Sequence, residues 1–256
     1  MKEFFGWGGY QRTPEGYMSW QHITFVTSLL LIMIGLAVFL GLKNRHKDVK
    51  VKNKVLVFVA ILINVIEITR IVLACIKQRD PMVWKYYLPF FLCSIQFVAI
   101  PLAAFSKGRL KEAALDFVFI FGMLGAVLGT YGAGNDYACY PILSWDIITS
   151  GLTHAIAGFT SLYIVISGMA SMKKKNILIT FAILFGFCLA AFVTNYIIDY
   201  NYMFLRRGDN TPYDIVYNWV GGNQILYPML VVLLFVAYVS LFYFIYFLCS
   251  RKKKKS

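Results

Sequence analysis

Charge is what this chain has least of. Only 14% of its 256 residues are Asp, Glu, Lys or Arg, against 59% hydrophobic. That balance excludes an ordinary soluble domain. Acidic residues are scarcer still: twelve Asp and Glu face 25 Lys and Arg. The five cysteines contain no CxxC pair, so no metal pattern is present and no metal site is expected. A Cys75–Cys139 bridge is one pairing the sequence leaves open. There is no basic segment leading into a short apolar stretch and a small-residue cleavage site, so the first apolar run is expected to stay as a helix. No internal repeat is evident, which disfavours the inverted-repeat transporters. Nothing in the sequence calls for a cofactor, and none is expected.

What fills the chain is long apolar runs. Seven are of membrane-spanning length, near 22–42, 55–76, 88–106, 113–130, 147–169, 176–198 and 226–249. Little is left over for a soluble part, so the sequence predicts an all-α bundle of seven transmembrane helices forming one integral membrane domain over 1–256. The net charge of +13 would suit nucleic acid, but its distribution argues otherwise. Lys43, Arg45, Lys47, Lys50, Lys52 and Lys54 fill the first loop, Lys107, Arg109 and Lys111 the third, and Lys173, Lys174 and Lys175 the fifth. With Arg251 and Lys252 to Lys255 in the tail, 17 cations fall on one side of a seven-span arrangement. The other side has seven: Lys2, Arg12, Lys77, Arg79, Lys85, Arg206 and Arg207. The excess marks the cytoplasmic face, which puts the N-terminus outside and the C-terminus inside. No nucleic-acid partner is expected, and protein partners are not legible. Trp7, Trp20, Trp84, Trp145 and Trp219 all lie in or beside outer segments, as an interfacial aromatic belt requires. Gly122, Gly125 and Gly129 give the fourth run a small-residue face for close helix packing.

Within this topology the polar residues gather at one depth. At ~1.5 Å per residue, Arg70 lies about 9 Å and Glu67 about 13 Å below the outer end of the second run. By the same rise Cys93 lies about 8 Å into the third and His154 about 10 Å into the fifth. His22 opens the first run and Asn195 closes the sixth. Polar groups in hydrocarbon are costly and tend to mark function. The expectation is one polar cavity in the outer half of the bilayer, lined by His22, Glu67, Arg70, Cys93, His154 and Asn195. Asn64, Glu67 and Arg70 share one helix stripe, Cys93 and Gln96 another, and Ser150, His154, Gly158 and Ser161 a third. Glu67 and Arg70 partly neutralise each other as an ion pair that either tethers helices or serves the site. A thiolate is a nucleophile and a nearby imidazole can take its proton. Cys93 with His154 is therefore the candidate catalytic pair, and His22 is a competing base nearer the interface.

These residues resemble a known family. His22 opening the first run, Leu88-Pro89 followed by Cys93 in the third, His154 early in the fifth, and Asn195, Asn201, Tyr202 and Leu205 at the end of the sixth are similar to the YwaF-like integral membrane proteins of bacteria. Their eukaryotic relative is a transmembrane ether-lipid acyltransferase. The resemblance implies a Cys–His pair that moves a fatty acyl chain from a phospholipid to a lysophospholipid, with Cys93 and His154 at the matching positions, and a bacterial plasma membrane as the location. One position departs: Phe91 stands where relatives often carry a polar residue. The leading expectation is a phospholipid acyltransferase with an acyl-thioester on Cys93. Asn195, Gln96 or backbone amides would hold the oxyanion, and Arg206 and Arg207 a phosphate. The substrate-binding set is then His22, Glu67, Arg70, Gln96, Asn195, Asn201, Tyr202 and Arg206. The alternative is a non-enzymatic membrane protein that binds a lipid or small ligand in the same cavity as a receptor, accessory or transport-related partner.

Overall fold

The computed structural model describes residues 1–252, and among them only helices and turns occur. The helices are α1 (Lys2–Phe5), α2 (Trp20–Asn44), α3 (Val49–Gln78), α4 (Gln96–Phe105), α5 (Gly108–Leu128), α6 (Gly134–Cys139), α7 (Trp145–Ile166), α8 (Ile177–Ile198), α9 (Tyr213–Trp219) and α10 (Leu226–Lys252). Five stretches are long and apolar enough to cross a membrane: Trp20–Asn44, Val49–Gln78, Trp145–Ile166, Lys174–Ile198 and Leu226–Ser250. The cations Lys253, Lys254 and Lys255 lie outside the described residues.

Two of the seven expected spans differ from expectation. The run over 88–106 becomes helical only at Gln96. Pro89 restricts Leu88 to extended backbone, and the segment from Phe91 to Ile95 forms bends and turns instead. Cys93 therefore sits in the turn that leads into α4, not inside a helix. The resulting helix has ten residues, about 15 Å of rise, half of a ~30 Å hydrocarbon core. The run over 113–130 is the apolar part of a longer helix that starts at Gly108. Its first turns carry Arg109, Lys111, Glu112 and Asp116, so it falls outside the five apolar spans. Helix α3 likewise begins at Val49, ahead of the expected 55, because its Lys-rich start is polar yet a good helix former.

The chain packs as two compact units: Met1–Pro89 with Cys93–Ser171, and Phe90–Leu92 with the chain from Met172 on. In the first unit α5 and α7 run antiparallel in close contact. Ser161 donates to the Phe119 carbonyl at 2.8 Å, and Gly122 lies against the backbone of Ala157. Tyr163 binds α2 and α3 to α7: its hydroxyl accepts from Asn44 at 3.1 Å and donates to the Lys52 carbonyl at 3.1 Å. Lys111 closes the C-terminus of α4, reaching the Ala103 carbonyl at 2.7 Å and Asn53 at 2.6 Å, the favoured place for a cation on a helix. Buried Asp116 accepts from the Ser171 amide at 3.0 Å. The N-terminal segment is laced to the loop before α7: Ile142 donates its amide to Glu15 at 2.7 Å, and Tyr17 donates to the Tyr131 carbonyl at 2.8 Å. Lys77 at the end of α3 meets Asp146 at the start of α7 at 2.7 Å.

In the second unit Thr180 of α8 and Tyr243 of α10 share a hydrogen bond of 3.0 Å. The loop after α8 folds onto an aromatic cluster in which Phe91 packs on Tyr202 and Phe204, with ring centroids at 5.1 and 5.8 Å. All five cysteines are free thiols, so the Cys75–Cys139 bridge is not formed.

Candidate functional site

The glycines of α5 are the platform on which the first unit gathers its reactive groups. A methyl built on Gly129 would fall 2.0 Å from His154 Cε1, and one on Gly125 would fall 3.5 Å from the Cys93 Cα. The imidazole of His154 therefore lies flat against Gly129, and Cys93 lies against Gly125. Four residues separate these glycines, roughly 6 Å of rise on one face of the helix. The thiol-bearing and imidazole-bearing residues are thus stacked on adjacent turns of one bare helix surface. An imidazole nitrogen also faces the Gly125 carbonyl. A carbonyl that takes one ring N–H leaves the other nitrogen as a base.

Cys93 stands at the N-terminal approach to α4, and the amides of Cys93 and Ser94 face its sulfur. N–H groups at a helix start are donors for a thiolate or for an oxyanion. Glu67 and Arg70 reach the same level from α3. Asn64 donates to the Phe97 carbonyl at 3.1 Å, which fixes the register of α3 against antiparallel α4. Arg70 pairs with Glu67 at 2.8 Å and lies 5.1 Å from the Tyr87 ring. Its charge bears on Cys93, His154 and Asp136.

Three side chains here are underused. Glu67 Oε2, Arg70 Nε and both amide atoms of Gln96 are buried and meet no hydrogen-bond partner among the described residues. Gln96 is fully buried. A buried polar group without a partner costs about 1–3 kcal/mol, so a polar ligand or water belongs in their company.

His22 has a different environment. Its Nδ1 accepts from the Met18 amide at 3.1 Å, its Nε2 reaches the Thr130 carbonyl at 3.2 Å, and its ring lies 3.8 Å from that of Tyr137, tilted by 35°. Both nitrogens are engaged, so the ring ties the start of α2 to the end of α5 and offers no spare base.

Asn195, Asn201, Tyr202 and Arg206 belong to the second unit. The Asn195 amide brackets the backbone of Tyr202, accepting from its N–H at 2.6 Å and donating to its carbonyl at 2.9 Å. Asn201 holds the Arg207 carbonyl and Asp209 at 2.8 Å each and accepts from the Arg206 amide at 2.9 Å. Arg206 pairs with Asp199, and Arg207 with Asp209. The Arg206 hydrogen bond holds the Asp199 carboxyl below its ordinary range. These groups are occupied in shaping the loop after α8, and both arginines are already neutralised.

Asp136 is a site residue that sequence reasoning missed. It lies in the short helix α6, in a segment without cations, which carries no spacing signal. Its carboxylate accepts from Ser150 at 3.2 Å. Burial pushes it above its ordinary value, with Ser150 and the charge of Arg70 pulling the other way.

Comparison with known proteins gives one family. The model of the TMEM164 family matches residues 17–253, and the chain belongs to that family. No curated protein and no solved structure matches it. Membership and the apolar helices together make it a membrane protein.

Proposed function

We propose that this member of the TMEM164 family is a membrane-embedded phospholipid acyltransferase. One observation carries the reading: Cys93 and His154 meet adjacent turns of the same glycine face of α5, with backbone amides at the sulfur. His154 takes the thiol proton. The thiolate attacks the ester carbonyl carbon of a phospholipid, a C–S bond forms, and the carbonyl oxygen becomes an oxyanion. The Ser94 amide and the unused Gln96 amide hold that charge, a contribution of roughly 10²–10³ in rate for one such donor. Collapse breaks the C–O bond, and the departing lysophospholipid takes the proton from His154. The hydroxyl of an acceptor lysophospholipid then attacks the thioester, with His154 again as base, and the free thiol returns.

In this proposal the turn before α4 together with α4, and α5, supply the two further passages of seven, with the N-terminus outside and the site in the outer half of a bacterial plasma membrane. The 17-to-seven excess of cations supports that orientation. A cysteine introduced in place of Lys174 is expected to resist impermeant thiol reagents in intact cells and to react after permeabilisation. Ready labelling in intact cells would invert the arrangement. The activity itself is tested with purified protein, a labelled phosphatidylcholine and an unlabelled lysophospholipid. Label should appear in a new diacyl species, and label remaining only in the donor would refute the transfer.

A further inference from the structure

The acyl-transfer reading leaves one feature of the first unit unused. A groove of about 230 Å³ runs between α2, α3 and α7, and every residue lining it is apolar. Its floor on α7 is Leu152, Ala155, Ile156 and Phe159, one helical stripe. At ~100° per residue, His154 leaves α7 about 150° away from that stripe. The groove is therefore on the opposite side of α7 from Cys93 and His154, and it is not the tail channel of that pair.

Its length is informative. The α2 wall extends from Leu29 to Leu40, about 16 Å of rise. That is roughly half of a ~30 Å hydrocarbon core, the depth of one leaflet and so of one lipid tail. A tail gains little by exchanging other tails for an apolar wall, so any selectivity has to come from the headgroup. Here the two walls end in charge. Lys43 lies three residues beyond Leu40 on α2, and Lys52 three residues before Val55 on α3, each on the stripe that lines the groove. Between residues 43 and 54 the chain carries six cations and a single acid, Asp48. Among the described residues none of these cations makes an ion pair with a carboxylate.

We propose that this groove is a binding site for one anionic phospholipid. One tail lies along α2, α3 and α7, and the phosphate is held by the basic α2–α3 connection, with Lys43 and Lys52 nearest. Basic pockets between transmembrane helices are known to take anionic headgroups. The proposal holds for whichever face of the membrane carries that connection, and it does not depend on acyl transfer.

The test uses the full chain in detergent with phosphatidylglycerol or phosphatidylcholine as the probe, and reads bound lipid per chain by native mass spectrometry. One phosphatidylglycerol per chain should be retained, about tenfold or more over phosphatidylcholine at low salt, and the preference should shrink as salt screens the headgroup. The pair Lys43→Gln, exposed, with Lys52→Gln, half-buried, should remove that preference while leaving lipid-free thermal stability unchanged. Ala155→Phe should block the groove with the cations intact; if it fails to fold, the charge pair decides alone. Equal retention of the two lipids, or retention indifferent to the lysine changes, would overturn the site. So would a dimer that buries the groove and excludes lipid.

Discussion

Replacing Cys93 by alanine is expected to abolish acyl transfer and leave the fold standing. The change removes only the sulfur from a residue in a turn, where a methyl built on Gly125 would lie 3.5 Å from the Cys93 Cα and 3.6 Å from its Cβ. Cys93→Ser should be nearly as inactive, because a hydroxyl at neutral pH is a far weaker nucleophile than a thiol with a histidine base. Cys75→Ala and Cys188→Ala are the controls. Cys75 points at the Pro81 carbonyl at 3.8 Å and Cys188 is packed in α8, so both variants should keep activity per folded molecule. A protein that only binds lipid would behave otherwise: Cys93→Ser would be silent in it. Radiolabelled transfer and thermal unfolding measured on the same preparations separate the cases.

The second large effect concerns the base and the surface beneath it. His154→Ala should lower the rate by roughly two to four powers of ten, the usual range for a lost general base. Gly129→Ala should act through the same ring without touching its chemistry. The new methyl would sit 2.0 Å from the imidazole, so the ring must swing away. A displacement of ~1 Å at a reacting group can cost about 10²-fold, and a loss of that order is expected with KM little changed. Gly35→Ala and Gly186→Ala are matched controls in α2 and α8, because nothing lies within 4 Å of a methyl at either position. Unaltered turnover in Gly129→Ala would mean that the imidazole does not work from where it lies.

The apolar helices were legible in the sequence because hydrophobic run length alone sets membrane-spanning capacity. The glycine spacing of 122, 125 and 129 was legible as a packing face, since close helix approach needs side chains to be absent. Its second role was not, because spacing on α5 cannot say which residues of α7 and of the turn before α4 come to rest there. Depth arithmetic also takes Cys93 to lie in a helix, whereas the helix starts only at Gln96. Pattern reading weighs a polar residue by its presence, whereas its chemistry depends on its partners. His22 and Asn195 looked like Gln96 in the sequence. In the structure the first two are engaged with backbone groups, and Gln96 has both amide atoms unused. Asp116 and Asp136 show the converse. Both acids matter to packing, yet neither stands out in an apolar or polar periodicity.

The most direct measurement is mass spectrometry of the purified protein after incubation with a defined phospholipid. The account predicts an acyl adduct on the Cys93 peptide, released by hydroxylamine as a thioester should be, lost on adding lysophospholipid, and absent from Cys93→Ala. Saturating lipid with Cys93 unmodified, or an adduct that persists in Cys93→Ala, would contradict it.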